Sequence, residues 1–272
     1  MERDEFGSPF SIEDGILVRR APQDAVPYAI FEGIAPTFDE ITAVRDRGYG
    51  VHLILSNSNL EFLQHLGGLT HLAIYGHNVD TRIIAQMRGL ASLELMVSDS
   101  PETDLSGLAN LTWYFGTLKA FESVLRAPNL QSAEFHDVYE GSFSFIPYRL
   151  RELTLQGARQ IRSVSVGRGP DESRLRSLYL HGARRFDVRS LAEFRHLETL
   201  VLESVVNVDG VSTLRDLSTL KRLSVIRCRT ADGLASLAEV RGLEVTVVGN
   251  LATSVRELVE KSDPPWTLLS SV

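Results

Sequence analysis

Residues 175–203 read LRSLYLHGARRFDVRSLAEFRHLETLVLE, and this stretch decides the fold. It opens on Leu175, Leu178 and Leu180 and, after a polar and glycine-containing passage, repeats the same spacing with Leu197, Leu200 and Leu202. Leu178-Tyr-Leu180 and Leu200-Val-Leu202 alternate with period two, the pattern of a short strand that buries every second side chain. Between them Leu191, Phe194 and Leu197 recur every third residue, which suits one helical or 3₁₀ turn leading back to the next strand. A strand followed by a returning turn cannot bury both edges by itself, so such units must stack.

Working outward, the same frame (an apolar residue, two free positions, an apolar residue, one free position, an apolar residue) recurs along most of the chain. It fits Leu69/Leu72/Ile74, Leu90/Leu93/Leu95, Leu130/Ala133/Phe135, Leu150/Leu153/Leu155 and Leu220/Leu223/Val225. Weaker copies are Gly48/Val51/Leu53, Leu111/Tyr114/Gly116 and Val240/Leu243/Val245. The starts lie 21, 21, 21, 19, 20, 25, 22, 23 and 20 residues apart. Two or three such matches could arise by chance; ten in near-constant register could not. The three-residue apolar series of the return limb also recurs, at Leu105/Leu108/Leu111, Leu214/Leu217/Leu220 and Leu234/Leu237/Val240.

The pattern resembles the leucine-rich-repeat family, whose unit is L-x-x-L-x-L-x-x-N/C-x-L over 20–29 residues. The DLSGLANL run at residues 104–111 is similar to bacterial variants of that repeat. The resemblance implies an α/β solenoid: a curved, horseshoe-like right-handed superhelix with parallel strands on the concave face and short helices, 3₁₀ turns and loops on the convex face. The expected organisation is a cap over residues 1–47, about ten irregular repeats over 48–250, and a capping helix and tail over 251–272. At the ninth position of each unit, where the family has Asn or Cys, this chain reads His77, Ser98, Val138, Ala158, Ala183, Val205, Cys228 and Val248. The asparagine ladder implied by the resemblance is thus largely missing, and the turn backbone must find other partners. The aromatic residues Tyr114, Phe115, Phe121, Phe135, Phe143 and Phe145 replace leucines in the middle of the chain, where irregular coils are expected.

In the N-terminal segment, residues 15–20 and 28–33 read as two short strands joined by a proline-containing turn, and Phe38, Ile41 and Val44 as a helix. At the other end, residues 251–261 read as an amphipathic helix stopped by Pro264-Pro265, and Trp266, Leu268 and Leu269 after it either fold back onto the last coil or form an exposed hydrophobic attachment point. The 25-residue spacing places an insertion at Val166–Ser173. It lacks the Gly-Lys-Ser/Thr ending of a phosphate loop and reads as a plain turn.

Composition bounds the function. The 272 residues are 43% hydrophobic and 23% charged with a net charge of −7, an ordinary globular balance that disfavours nucleic acid as the main ligand. Residues 1–47 carry ten acids and five arginines, most of the negative charge, and read as a solvated surface. One cysteine cannot form an internal disulfide, the N-terminus lacks the basic and apolar stretches of a secretory signal, and no apolar run spans a membrane. A cytoplasmic location without membrane association is therefore expected. No cofactor or metal is expected either: His136 and His181 occupy equivalent strand positions but two coils apart, with no third ligand. Cys228 reads as a small buried residue and not as a nucleophile.

Side chains that alternate with the buried leucines should form two parallel stripes. One is Ala73, Glu94, Phe115, Glu134, Thr154, Tyr179, Val201 and Ser224; the other is Tyr75, Met96, Thr117, His136, Gln156, His181, Glu203 and Ile226. Aromatic, Met and His residues among few charges are the composition of interface centres. The expected partner-binding residues are Tyr75, Met96, Phe115, His136, Tyr179, His181 and Glu203, rimmed by Arg151, Glu152, Arg176, Glu198, Lys221 and Arg222. The expected function is a non-catalytic intracellular module that binds another protein, as a scaffold, regulator or immunity-like factor. Two alternatives remain open. One is an enzyme with convergent titratable groups on this face; the other is a carbohydrate or nucleotide binder using Tyr75, Trp113 and Tyr179 as platforms.

Overall fold

The computed structural model describes residues 10–20, 26–138, 142–167, 173–259 and 266–269. The chain divides into two compact units, residues 1–130 and 131–272. The expected turn between the first two strands, the tip of the Val166–Ser173 insertion, Pro264-Pro265 and the side chains of Phe143 and Phe145 lie outside the described residues.

The first unit begins with an antiparallel meander. Phe10–Glu13, a strand the sequence pattern does not reveal, pairs with Ile16–Arg19, which pairs in turn with Tyr28–Glu32. From there every pairing is parallel: Tyr28–Glu32, Gly50–Ser56, His71–His77, Ser92–Ser98 and Trp113–Thr117. Val51 faces Leu72, Leu72 faces Leu93 and Leu93 faces Tyr114, so the frames starting at 48, 69, 90 and 111 are in the register read from the leucines. These inward residues are buried, as is Tyr114, whose hydroxyl donates to the Thr117 carbonyl at 2.9 Å.

The parallel crossover into Gly50–Ser56 is made by α1, Phe38–Arg47. Its capping box explains where it starts: the Thr37 backbone N–H donates to Glu40 Oε2 at 2.7 Å and Glu40 N–H to Thr37 Oγ1 at 3.4 Å. Gly48, at φ +66°, ends it in the left-handed conformation that glycine adopts without a Cβ penalty. Ile41 and Val44 are buried as expected, but Phe38 is 67% exposed, because the first helical residue lies beyond the edge of the apolar stripe.

The second unit is parallel throughout its main sheet: Ser132–His136, Glu152–Leu155, Ser177–His181, Thr199–Glu203, Arg222–Ile226, Glu244–Val248 and Thr267–Leu269. Trp266 is 9% exposed and the residues after it form the last strand, so of its two readings the tail takes the folded-back one. The last frame is a correction. Leu223 pairs with Val245 and Val225 with Val247, which puts the start of that unit at 242 and not at Val240. Val240 instead follows the 3₁₀ helix Leu234–Glu239, and the true ninth position is Asn250, the first residue of helix α2, Asn250–Val259. Small secondary ladders run beside the main sheet. Ser142–Ile146 pairs with Ser163–Val166, and Arg185–Asp187, Asn207–Asp209 and Thr230–Ala231 pair in turn.

The return limbs are 3₁₀ turns, as the three-residue spacing requires. Phe194 N–H bonds Leu191 O at 2.9 Å and Leu197 N–H bonds Phe194 O at 3.0 Å; Leu217 and Leu220 repeat the pattern. Each apolar residue of the series thus anchors both a hydrogen bond and the core. Leu191, Phe194, Leu197, Leu214, Leu217 and Leu220 are all buried. Fully burying one such side chain contributes roughly 1.5–3 kcal/mol.

The turn after the strand takes a different form in each unit. In the first it occurs nine residues after the frame start, at Asn57, Asn78, Asp99 and Ala120, all with positive φ. In the second it occurs seven residues after, at Asp137, Gly157, Gly182, Ser204, Arg227 and Gly249, again with positive φ. Asn and Asp tolerate this conformation better than other non-glycine residues. The first unit therefore does carry an asparagine pair, displaced from the ninth position: Asn78 Nδ2 donates to Asn57 Oδ1 at 2.7 Å. Elsewhere the backbone replaces the missing ladder. Gly182 N–H reaches Glu203 O at 3.0 Å, Ser204 N–H reaches Ile226 O at 2.8 Å and Arg227 N–H reaches Val248 O at 2.8 Å. A buried hydroxyl chain does the same work deeper in the first unit. Thr81 Oγ1 lies 2.7 Å from Thr103 Oγ1, and Ser123 Oγ donates to Thr103 O at 3.0 Å while accepting from Leu105 N–H at 2.8 Å.

Candidate functional site

Because strand side chains alternate, the residues between the buried leucines stand on the opposite face of each main sheet. In the first unit this face is aromatic and weakly charged. Tyr75, Met96, Phe115 and Trp113 are partly exposed there. Tyr75 OH donates to Glu94 Oε2 at 2.8 Å, and its ring lies 5.0 Å from that of His52. Burial, reinforced by the Glu94 charge, raises the Tyr75 hydroxyl above the usual phenol range, so it stays a donor. His52 is pushed down to about 4 by burial and then by the Arg19 charge, and is neutral at physiological pH. Trp113 and Phe115 stack with centroids 6.1 Å apart and planes 10° apart. Ala73 points the same way but is wholly buried among larger neighbours and offers no surface.

The same face of the second unit is organised around two carboxylates. Glu134 Oε1 lies 2.9 Å from His136 Nε2 and accepts from Gln156 Nε2 at 2.7 Å. Glu203 accepts from the Tyr179 hydroxyl on one oxygen and from the Arg227 guanidinium on the other. Those two donors hold the Glu203 carboxyl below the usual carboxylate range. Tyr179 is pushed up to about 12 by burial and by its bond to Glu203. His136, Tyr179, His181 and Glu203 are all partly exposed. Sequence reasoning puts these four on the sheet face by alternation and names no partner for Glu203. It missed Arg227, which stands in the positive-φ turn and reaches back to the strand of the preceding coil.

Of the six residues expected at the rim, Arg176, Glu198 and Lys221 form ion pairs. Glu198 lies between Lys221, at 2.9 Å, and Arg176, at 3.8 Å. Such surface pairs contribute about 0–1 kcal/mol each, so they shape the edge and add little to stability. Cys228 is buried; its thiol donates to Leu202 O at 3.4 Å, and burial raises its pKa, which keeps the nucleophilic thiolate scarce. Among the described residues no three His, Cys, Asp or Glu side chains lie close enough to share a metal ion, and no helix is long and apolar enough to cross a membrane.

Fold and face together define an open parallel-sheet protein with the strand, turn and 3₁₀ return of the leucine-rich-repeat type. No family model matches the chain, and no curated protein does. Among solved structures it is similar to an internalin (inlF) of Listeria monocytogenes, at 16% identity over 75% of this chain and 69% of that one, with a TM-score of 0.44. It is also similar to an internalin C2 (inlC2) of the same organism, at 16% identity over 81% and 80% of the two chains, with a TM-score of 0.33. Likenesses this distant bear on neither partner nor activity, and the fold assignment rests on the strand ladder itself.

Proposed function

We propose that the chain is a non-catalytic protein-binding module that recognises a partner through the outward face of its parallel sheets. The contact residues are Tyr75, Met96 and Phe115 in the first unit and His136, Tyr179, His181 and Glu203 in the second. A right-handed solenoid with this face on its concave side, and an intracellular setting, are parts of the same reading. The observation that carries it is the exposure of these side chains: each is partly exposed, while the residues alternating with them along the strands are buried. Aromatic side chains left open to solvent, with two side-chain torsions each, lose little entropy on binding, and aromatic and Met side chains are enriched at interface centres. Hydrogen bonds fix Tyr75 and Tyr179 before any partner arrives, which lowers the ordering cost further.

Capture from native cell extract with the immobilised chain tests this. A protein retained stoichiometrically by the wild type should be lost from Tyr75→Ala and from Tyr179→Ala/His181→Ala, with circular dichroism unchanged. Equal retention by the substituted and wild-type chains would sink the proposal.

A further inference from the structure

The chain is acidic overall, yet one place in the second unit has the opposite sign. Arg159, Arg162, Arg184 and Arg185, with Gln160, line a shallow groove of about 610 Å³. It lies in the segments that follow the Glu152–Leu155 and Ser177–His181 strands, Arg185 opening the short strand Arg185–Asp187. Arg159 and Arg184 sit at equivalent positions, nine residues after Leu150 and Leu175, and the Arg184 N–H bonds the Arg159 carbonyl at 3.4 Å. Neighbouring coils are spaced by about 4.8 Å, so like charges are stacked at close range in this groove.

Among the described residues, acids neutralise it only at Arg185. Asp187 is engaged by Arg189 at 2.8 Å, and Asp209 by Arg185. Arg159, Arg162 and Arg184 are exposed and form no ion pair among the described residues. Three guanidiniums without an ion pair among the described residues repel one another, and an anion entering the groove relieves that repulsion while meeting planar donor forks suited to oxyanions.

We propose that this groove docks a short acidic stretch of a protein, its carboxylates held by Arg159, Arg162 and Arg184. Groove length selects this occupant over a long polyanion. The Arg159 and Arg184 column passes to Val206 in the next coil, and the position of Arg162 is taken in the next three coils by Asp187, Asp209 and Asp232, so the cationic track ends after two coils. A nucleic acid, whose affinity comes from many successive phosphate contacts, would run from the arginines onto this acidic row. Two or three carboxylates of an extended peptide fit within it. The inference rests on the reading of the chain as a protein binder, and adds a second, chemically distinct contact to it.

Fluorescence anisotropy of the purified full chain with a labelled peptide of alternating glutamate and serine tests the groove, with the glutamine analogue as control. Expected are binding of the glutamate peptide, at least about tenfold weaker binding of the glutamine peptide, and steep loss with added salt. Arg159→Ala/Arg184→Ala should weaken binding about tenfold. Arg159→Lys/Arg184→Lys, which keeps the charge and loses the fork, should fall between. Tyr179→Ala should leave it unchanged, so failure here is separable from failure at the sheet face. Equal affinity for the two peptides, indifference to the arginine substitutions, or tighter binding of tripolyphosphate or single-stranded DNA than of the glutamate peptide would overturn the proposal.

Discussion

Replacing Glu203 by glutamine keeps the size of the side chain and removes its charge. The carboxylate takes one hydrogen bond from Tyr179 and another from Arg227, and its side chain is 15% exposed. A hydrogen bond to a charged group is worth about 1.5–3 kcal/mol when sheltered. The Arg227 arm is 63% exposed and contributes about 0–1 kcal/mol after solvent screening. Glutamine can accept from only one of the two donors and turns its amide toward the other, so the expected loss at neutral pH is about 2 kcal/mol. For a chain of this length that lowers the melting temperature by roughly 4–8 °C. The pH dependence fixes the cause. Because the folded carboxyl is held below its unfolded value of about 4.3, its stabilisation is complete above that value and is lost as pH falls through the lowered folded value. Urea unfolding of both chains, at neutral pH and in acid, should therefore show a gap that closes in acid. An equal gap at both pH values, or none at neutral pH, would refute the assigned hydrogen bonds.

Two further substitutions probe the stacking of coils. Gly76→Ala would place a Cβ 1.7 Å from the Leu55 carbonyl oxygen, a backbone atom that cannot move aside; a loss of about 3 kcal/mol or more in chemical unfolding is expected. Thr81→Val removes one half of a buried hydroxyl pair and leaves Thr103 Oγ1 with only the Pro101 carbonyl, at 3.2 Å. About 1 kcal/mol should be lost, against little change for an exposed control such as Thr70→Val.

How much of this was legible in the sequence depended on which interactions are local. Inward leucines declare themselves by spacing, and the registers of nine frames followed from it, including the aromatic coil in which Tyr114 stands for leucine. The tenth slipped by two residues because Val240, Leu243 and Val245 satisfy the pattern while the true start, Gly242, is not apolar. Positive-φ turns are written in side chains only where Asn, Asp or Gly occupy them. Ala120, Ser204 and Arg227 carry no such mark, whereas Asn57, Asn78 and Asp99 at nine residues and Asp137, Gly157 and Gly182 at seven do, a shift that a reading fixed on the ninth position passed over. On the outward face, residue positions were readable from alternation, but the partners were not. The contact between Glu203 and Arg227 joins residues 24 apart and depends on a turn conformation that the leucine pattern does not encode. The arginine groove was hidden for a similar reason, since its members come from loops of two coils that align only once stacked.

The central claim is that partners are met by the sheet face. Covalent carbene footprinting of the chain, alone and bound to the protein it captures, tests this most directly. The account predicts protection of Tyr75, Met96, Phe115, Tyr179 and His181, with the 3₁₀ segments Glu61–His65, Arg82–Gln86, Val211–Asp216 and Leu234–Glu239 labelled as before. Protection confined to those 3₁₀ segments, with the sheet-face residues labelled equally in both states, would contradict it.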